Sequence, residues 1–432
     1  MNYRMIGRII GQILGLEALF LLPPLVICLA DGDEPAVLGF TLSILITSAV
    51  YLLLRWLCRN AESGFRAKEG LVCVSLAWIA MSFLGCLPFV LSGAIPDLVN
   101  ALFETVSGFT TTGASILPAV EGLPRGILFW RSFTHWVGGM GVLVLSLALL
   151  PKMGARSIHL MRAESPGPAV DKLVPRVGNN AKILYYLYIS LTAVMLVCLL
   201  LTGMNLYDAL IHTFGAAGTG GFSNRNASVG AYGSVAVDLI ISVFVLLFSV
   251  NFALYFLVLT RRWRDALKSD ELRFFLLVVA GATLLIAWNI RGLYPSLPQA
   301  LRYAFFQVTS IISTTGFATT DWLFWPHFSQ LVLILLMFCG ACAGSTGGGM
   351  KCSRILLLLR CTRRELHRII HPNLVETVRL EGRAVDEDTL RSTLTFIGCY
   401  LAIILAGALV VSLDDVSFSV SFTSALTCVS NV

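Results

Sequence analysis

Thr110-Thr111-Thr112-Gly113-Ala114-Ser115, Gly218-Thr219-Gly220-Gly221-Phe222-Ser223 and Ser313-Thr314-Thr315-Gly316-Phe317-Ala318 are three versions of one pattern, and its reading decides the fold. Their reference glycines, Gly113, Gly221 and Gly316, stand 108 and 95 residues apart. Each version closes an apolar segment, about Pro96 to Phe109, Leu206 to Ala217 and Leu297 to Ile312. At roughly 12 to 16 residues these are short of the ~20 that a crossing helix needs, so they read as re-entrant. A fourth copy starts at Val416 and reaches Thr427-Cys428-Val429-Ser430-Asn431-Val432. Aligned on the glycine, position −2 reads Thr111, Thr219 and Thr314, with Asn431 in the fourth copy if a glycine were to follow Val432. Position −9 reads Glu104, His212, Gln307 and Ser424, polar each time among apolar neighbours. A single Thr-Thr-Gly would be a close-packing face of a membrane helix. Recurrence at the end of every short segment points instead to a shared function.

The surroundings are those of a polytopic membrane protein. Of the 432 residues 56% are hydrophobic and 13% charged, with a mean hydropathy of +0.81, which excludes an ordinary soluble domain. Uncharged runs able to cross ~30 Å of hydrocarbon are Pro35 to Leu54, Gly70 to Pro96, Ser132 to Pro151, Ile183 to Tyr207, Leu239 to Thr260, Trp322 to Met350 and Ser392 to Leu413. The start carries Arg4 and Arg8 like a signal peptide, but Glu17 and Pro23-Pro24 interrupt it, and it reads as a retained span near 9–30. Most of the eleven cysteines lie in apolar runs, where a thiol acts as a small hydrophobe, and no structural disulfide is expected. Cys339 and Cys342 have CxxC spacing without the second pair of a metal site.

The net charge of +6 is not a nucleic-acid signal, because the basic residues fall in alternate loops. All lysines and arginines except Arg125, Arg131, Arg225, Arg291 and Arg302 lie at the N-terminus or within 55–69, 152–182, 261–273 and 351–391. The positive-inside rule makes these segments and the N-terminus cytoplasmic. The opposite loops carry Asp31, Asp33, Glu34, Asp97, Glu121, Asp208, Asp321, Asp414 and Asp415, either an outer field attracting cations or ordinary solvated charge.

A dehydrated alkali cation needs a dense ring of oxygens, and converging backbone carbonyls supply one. Glycine allows the positive φ that turns consecutive carbonyls inward, and threonine adds a hydroxyl without bulk. The C-terminal ends of the short helices add negative dipole ends, favouring a cation.

At these residues the chain resembles the TrkH/TrkG branch of the Trk/Ktr/HKT superfamily of potassium uptake proteins. Trp130-Arg131-Ser132-Phe133-Thr134-His135-Trp136-Val137-Gly138-Gly139-Met140-Gly141 is similar to the second helix of that family's first repeat. Gly340-Ala341-Cys342-Ala343-Gly344-Ser345-Thr346-Gly347-Gly348-Gly349-Met350-Lys351 is similar to the glycine-rich break in its third repeat. The resemblance implies an all-α membrane fold with a fourfold pseudosymmetric, potassium-channel-like pore of M1-P-M2 units, two extra N-terminal helices and a truncated fourth repeat. The implied organisation is 1–69 for the N-terminal pair and loop, with pore repeats at 70–180, 181–270, 271–388 and, incomplete, 389–432. It implies a filter of Thr111, Thr112, Gly113, Thr219, Gly220, Gly221, Thr314, Thr315 and Gly316, with Asn431 and Val432 opening the fourth strand. It implies transported K⁺ in the filter, favoured over Na⁺ by Gly113, and no other cofactor. It also implies a homodimer in the bacterial inner membrane and a TrkA-like cytosolic nucleotide-binding partner. A fourth filter glycine and a fourth second helix would have to follow Val432, and the 432-residue chain alone is expected to be inactive.

The glycine run has its own physical reading. It fails as a phosphate loop, because Met350 separates the last glycine from Lys351 and Cys352 replaces the hydroxyl residue. Inside a membrane such a run unwinds a helix, which is tolerated where it lines a cavity or is buried in protein. Gly344, Ser345, Thr346, Gly347, Gly348, Gly349 and Lys351 are therefore gate candidates, with a static kink as the alternative. His367 and His371 share helical spacing but lack the HExxH glutamate, and nothing resembles an enzyme's catalytic cluster. The rival function is an H⁺- or Na⁺-coupled carrier with alternating access, which wants acids inside its spans. Glu17 and Asp238 read as near span ends, with Glu104 in a re-entrant segment.

Overall fold

The computed structural model describes residues 2–60, 67–139, 141, 177–371 and 376–432. Arg66, Met140, the end of the expected span Ser132 to Pro151 and the 152–182 loop up to residue 176 lie outside the described residues. The chain folds as two compact units, Met1–Ser228 and Val229–Val432, each around its own apolar core.

In the first unit, helices Tyr3–Phe20 and Leu22–Asp31 break at Leu21, where Pro23 and Pro24 cannot donate into a continuing helix. Helix Glu34–Leu57 starts at Asp33, whose carboxylate caps Ala36 N–H, and packs on Tyr3–Phe20. Helix Ala67–Gly85 continues into Leu87–Leu91, and the short helix Leu98–Phe109 packs between it and Arg125–Gly139. Helix Val177–Leu201 then leads to the short helix Leu206–Ala217, which also packs on Arg125–Gly139.

In the second unit, Val235–Ser249, Asp270–Ile290 and His327–Cys339 surround the short helix Leu297–Ile312. Helix Glu387–Val411 carries the fourth short helix, Phe418–Ser430, which also packs on His327–Cys339. Three of the four short helices begin at side-chain caps, Asp97 to Asn100 N–H, Asn205 to Asp208 N–H and Ser417 to Val420 N–H, and Leu297–Ile312 begins instead with a proline in its first turn.

Six helices among the described residues are long and apolar enough to cross a membrane: Tyr3–Asp31, Glu34–Leu57, Glu69–Leu91, Lys182–Leu201, Asp270–Ile290 and Glu387–Asp414. They turn bulky apolar side chains outward, Leu277 and Leu409 both 71% exposed, as suits lipid rather than water.

Four expectations need correction. Asp270–Ile290 is a span that hydropathy missed, because Asp270, Glu271 and Arg273 occupy its first turn and leave only Phe274–Ile290 uncharged. The expected span Leu239 to Thr260 is two helices, Val235–Ser249 and Phe252–Leu259, meeting at 93°. The run Trp322 to Met350 holds a 3-10 turn at Trp322–Phe324 and the 13-residue α-helix His327–Cys339, after which Gly340 turns left-handed at φ 66°. The 351–391 segment is not simply a loop: it contains helix Cys352–Ile370 and the small hairpin Arg379–Leu380 with Arg383–Ala384.

Candidate ion-conduction site

All four short helices end in the same backbone turn. The residue at position −2 is left-handed in each, with φ 60° at Thr111, 55° at Thr219, 62° at Thr314 and 64° at Asn431. The aligned glycines are left-handed too, φ 77° at Gly113, 77° at Gly221 and 81° at Gly316. A left-handed non-glycine residue costs roughly 1–2 kcal/mol, and a β-branched one is a true outlier. Three threonines bearing that strain at one aligned position mark a turn with a purpose beyond chain reversal.

The hydrogen bonds fix which way the carbonyls face. Thr112, Gly220, Thr315 and Val432 each turn their N–H back to the carbonyl five residues earlier, at 2.9, 2.8, 2.9 and 3.1 Å. In a trans peptide the preceding carbonyl points the other way. The oxygens of Thr111, Thr219, Thr314 and Asn431 therefore point away from their own helix ends. The N–H groups of Gly221 and Gly316 turn back to the same carbonyls, those of Gly215 and Ser310 six residues earlier, at 3.3 Å, which orients the carbonyls of Gly220 and Thr315 likewise. The second and third turns thus stack two consecutive outward carbonyls, the kind of oxygen donor a dehydrated cation requires.

Position −9 braces the strand after the glycine, a role the sequence alone left unexplained. The Glu104 carboxylate accepts from Ser115 Oγ at 2.9 Å and Ile116 N–H at 3.0 Å. His212 Nε2 meets Ser223 Oγ at 3.1 Å, and Gln307 Nε2 donates to Thr320 O at 3.1 Å. Ser424 is exposed.

In the first unit Arg131, from the Trp130–Gly141 motif, ties two turns together. Its Nε donates to Glu104 at 2.5 Å and its Nη1 to Ser223 O at 3.2 Å, with the guanidinium 3.5 Å from the Phe222 ring centre. Both members of the ion pair are buried. One turn further on, His135 stacks on Phe222 with ring centres 4.1 Å apart. A Cβ on Gly220 would lie 2.3 Å from that imidazole, so only glycine fits there. Arg131 and His135 were visible in the sequence only as parts of a motif.

In the second unit the turns of Thr314–Gly316 and Asn431–Val432 rest on the unwound run Gly340–Lys351. Gly348 N–H donates to Thr314 Oγ1 at 2.6 Å, and Gly349 N–H to Ser430 O at 2.8 Å. The run is unwound but held, not loose. Thr346 Oγ1 donates to Phe248 O at 3.0 Å and Ser345 Oγ to Cys342 O at 2.6 Å, while Lys351 Nζ donates to Gly347 O. Phe252 N–H donates to Gly344 O and Cys342 N–H to Ser249 O, both at 3.0 Å, so the run and the bend at Val250–Asn251 satisfy each other. The eleven cysteines are all free, with Cys339 and Cys352 sulfurs 3.6 Å apart. Among the described residues no cluster of His, Cys, Asp and Glu is arranged to hold a metal ion.

Glu17 is misplaced by the sequence reading. It sits at the middle of the bent span Tyr3–Asp31, buried, with neither carboxylate oxygen hydrogen-bonded.

Long apolar helices interleaved with short ones that end in oxygen-rich strained turns define a multi-pass membrane protein built for transport. The chain matches the TrkH family, described as cation transport protein, over residues 38–432, and belongs to it. It is 37% identical to the Trk system potassium uptake protein TrkH of Salmonella typhimurium, covering 100% of this chain and 90% of that protein. It is 32% identical to the Trk system potassium uptake protein TrkG of Escherichia coli, again over 100% and 90%. The crystal structure of the potassium transporter TrkH from Vibrio parahaemolyticus superposes with a TM-score of 0.89 at 32% identity, covering 100% of this chain and 90% of that one.

Proposed function

We propose that this chain carries potassium into the cell across the bacterial inner membrane, with its N-terminus cytoplasmic. Its filter is Thr111 to Gly113, Thr219 to Gly221, Thr314 to Gly316 and Asn431 to Val432, converging as four pseudosymmetric M1-P-M2 repeats over 70–180, 181–270, 271–388 and 389–432. The observation that carries this is the single left-handed turn repeated at the same aligned position of all four copies. The run Gly344 to Lys351 is the gate, supported by its contacts with Thr314 and Ser430. By family resemblance the protein works as a homodimer with a TrkA-like nucleotide-binding subunit on the cytoplasmic side.

The test is a comparison of Rb⁺ and Na⁺ flux, in a chain carrying a complete fourth repeat, for Gly113→Ser, Gly221→Ser and Gly316→Ser. A side chain at these left-handed positions strains the turn and reorients carbonyls, so each variant admits more Na⁺ relative to Rb⁺. An unchanged ratio in all three removes the filter assignment.

A second reading, coupling to H⁺ or Na⁺, is favoured by one observation, the unpartnered Glu17 at mid-span. Loss of a pH- or Na⁺-driven component of Rb⁺ uptake in Glu17→Gln supports it, and unchanged driving-force dependence removes it.

A further inference from the structure

We propose that Glu271 is the positioning residue that latches the glycine loop, and that the hairpin at 379–384 is the handle by which the cytoplasmic side reaches that latch. This rests on the gate reading above. Glu271 lies in the first turn of Asp270–Ile290 and is buried. One of its oxygens, Oε1, accepts from Ala343 N–H at 2.7 Å and from Ser353 N–H at 2.9 Å. These donors stand at the two ends of the unwound run, so one carboxylate pins both ends of the segment that touches Thr314 and Ser430. Both bonds converge on one oxygen, so losing it leaves two backbone donors without their acceptor at once. The opposite charges facing Glu271 are Lys351, inside the run, and Arg354, just past it.

The same helix start is gripped from the other direction. Glu381, left-handed at φ 52° in the hairpin turn, accepts at Oε1 from Ser269 Oγ at 2.9 Å and from Glu271 N–H at 3.2 Å. Its own N–H donates to Asp270 Oδ2 at 3.1 Å, which also accepts from Arg360 Nη1 at 2.9 Å. A shift of the hairpin therefore moves the backbone of Glu271, and with it the oxygen shared by Ala343 and Ser353. The loop supplies the two-state element that such coupling requires, docked under the filter or displaced from it.

The experiment uses the protein with a complete fourth repeat, reconstituted in proteoliposomes, and reads basal Rb⁺ flux together with thiol labelling of Ser345→Cys. Glu271→Ala orphans both donors and is expected to raise basal flux and labelling on the order of tenfold. Glu271→Gln keeps the Oε1 acceptor and is expected to stay within about twofold of wild type. Glu381→Ala raises flux less than Glu271→Ala, and the double variant matches Glu271→Ala alone, because the two act through one contact. A folded Glu271→Ala with wild-type flux and labelling overturns the latch. So does a Glu271→Gln as leaky as the alanine variant, and additivity of the two alanine changes overturns the handle. Shortening the run by Gly347 to Gly349 separates the two proposals. If shortening raises flux while Glu271→Ala is silent, the gate stands and the latch falls; if neither changes flux, the gate reading itself fails.

Discussion

In Met1–Ser228 the two glycine turns are joined through a buried arginine, whereas in Val229–Val432 the equivalent turns rest on backbone donors of an unwound glycine loop. The turns themselves are alike in φ and in their five-residue back-bonds. What differs is the support. A buried ion pair is unforgiving, since removing either partner strands a charge in a medium that cannot solvate it. Neutral backbone bonds contribute roughly 1 kcal/mol each, and a loop held by several of them can be displaced and restored. Within the proposed function, the first unit keeps filter geometry fixed and the second carries the movable element.

The largest expected effect lies in the charged support. Arg131→Met leaves Glu104 buried without its cation and is expected to cost about 3–5 kcal/mol, read as a fall in thermal unfolding temperature in detergent. Arg131→Met combined with Glu104→Gln removes the stranded charge, keeps one oxygen to accept from Ile116 N–H and lets Ser115 Oγ accept from the new amide, so the pair recovers much of the loss. A single variant as stable as wild type would show that Arg131 does not hold the two turns together.

A smaller effect is expected where the loop meets the filter. A Cβ on Gly348 would lie 2.7 Å from Asn431 Cβ and 2.8 Å from Ser430 O, neither of which is the end of a flexible side chain. Gly348→Ala therefore costs about 1–3 kcal/mol of overpacking in the docked state and raises basal Rb⁺ flux by displacing the loop. Gly281→Ala and Gly398→Ala, where a Cβ meets nothing within 4 Å, serve as controls with unchanged flux. Equal flux in all three variants would mean that the loop is a static kink.

How much of this was legible in the sequence follows from how local each feature is. The Thr/Gly turns and the four short helices depend on nearby residues, so spacing and length reveal them. The bend between Ser249 and Phe252 has no glycine or proline, and its backbone is satisfied by Cys342 and Gly344, some ninety positions away. No local signal marks it. The span Asp270–Ile290 was hidden because Glu271, a charge that hydropathy counts against a helix, is satisfied by Ala343 and Ser353. Glu17 read as near a span end because the helix begins at Tyr3, earlier than the apolar run does. The polar residues at position −9 were visible, but their partners lie on strands whose course only the fold gives.

Position −9 also provides the finest test of the contrast between the units, because the same aligned site carries different chemistry. Glu104 joins an ion pair and two further donors, whereas Gln307 makes one neutral bond, to Thr320 O. Gln307→Met is close in volume and removes that bond alone, leaving one carbonyl to find another donor. The expected loss is about 0.5–1.5 kcal/mol, a fraction of that for Arg131→Met, with a correspondingly small change in the Rb⁺ to Na⁺ flux ratio. If Gln307→Met destabilises the protein as much as Arg131→Met, the third turn is as dependent on its brace as the first. The division into a rigid charged half and a yielding glycine half would then be lost, because both halves would hang on a single side chain at the same aligned position.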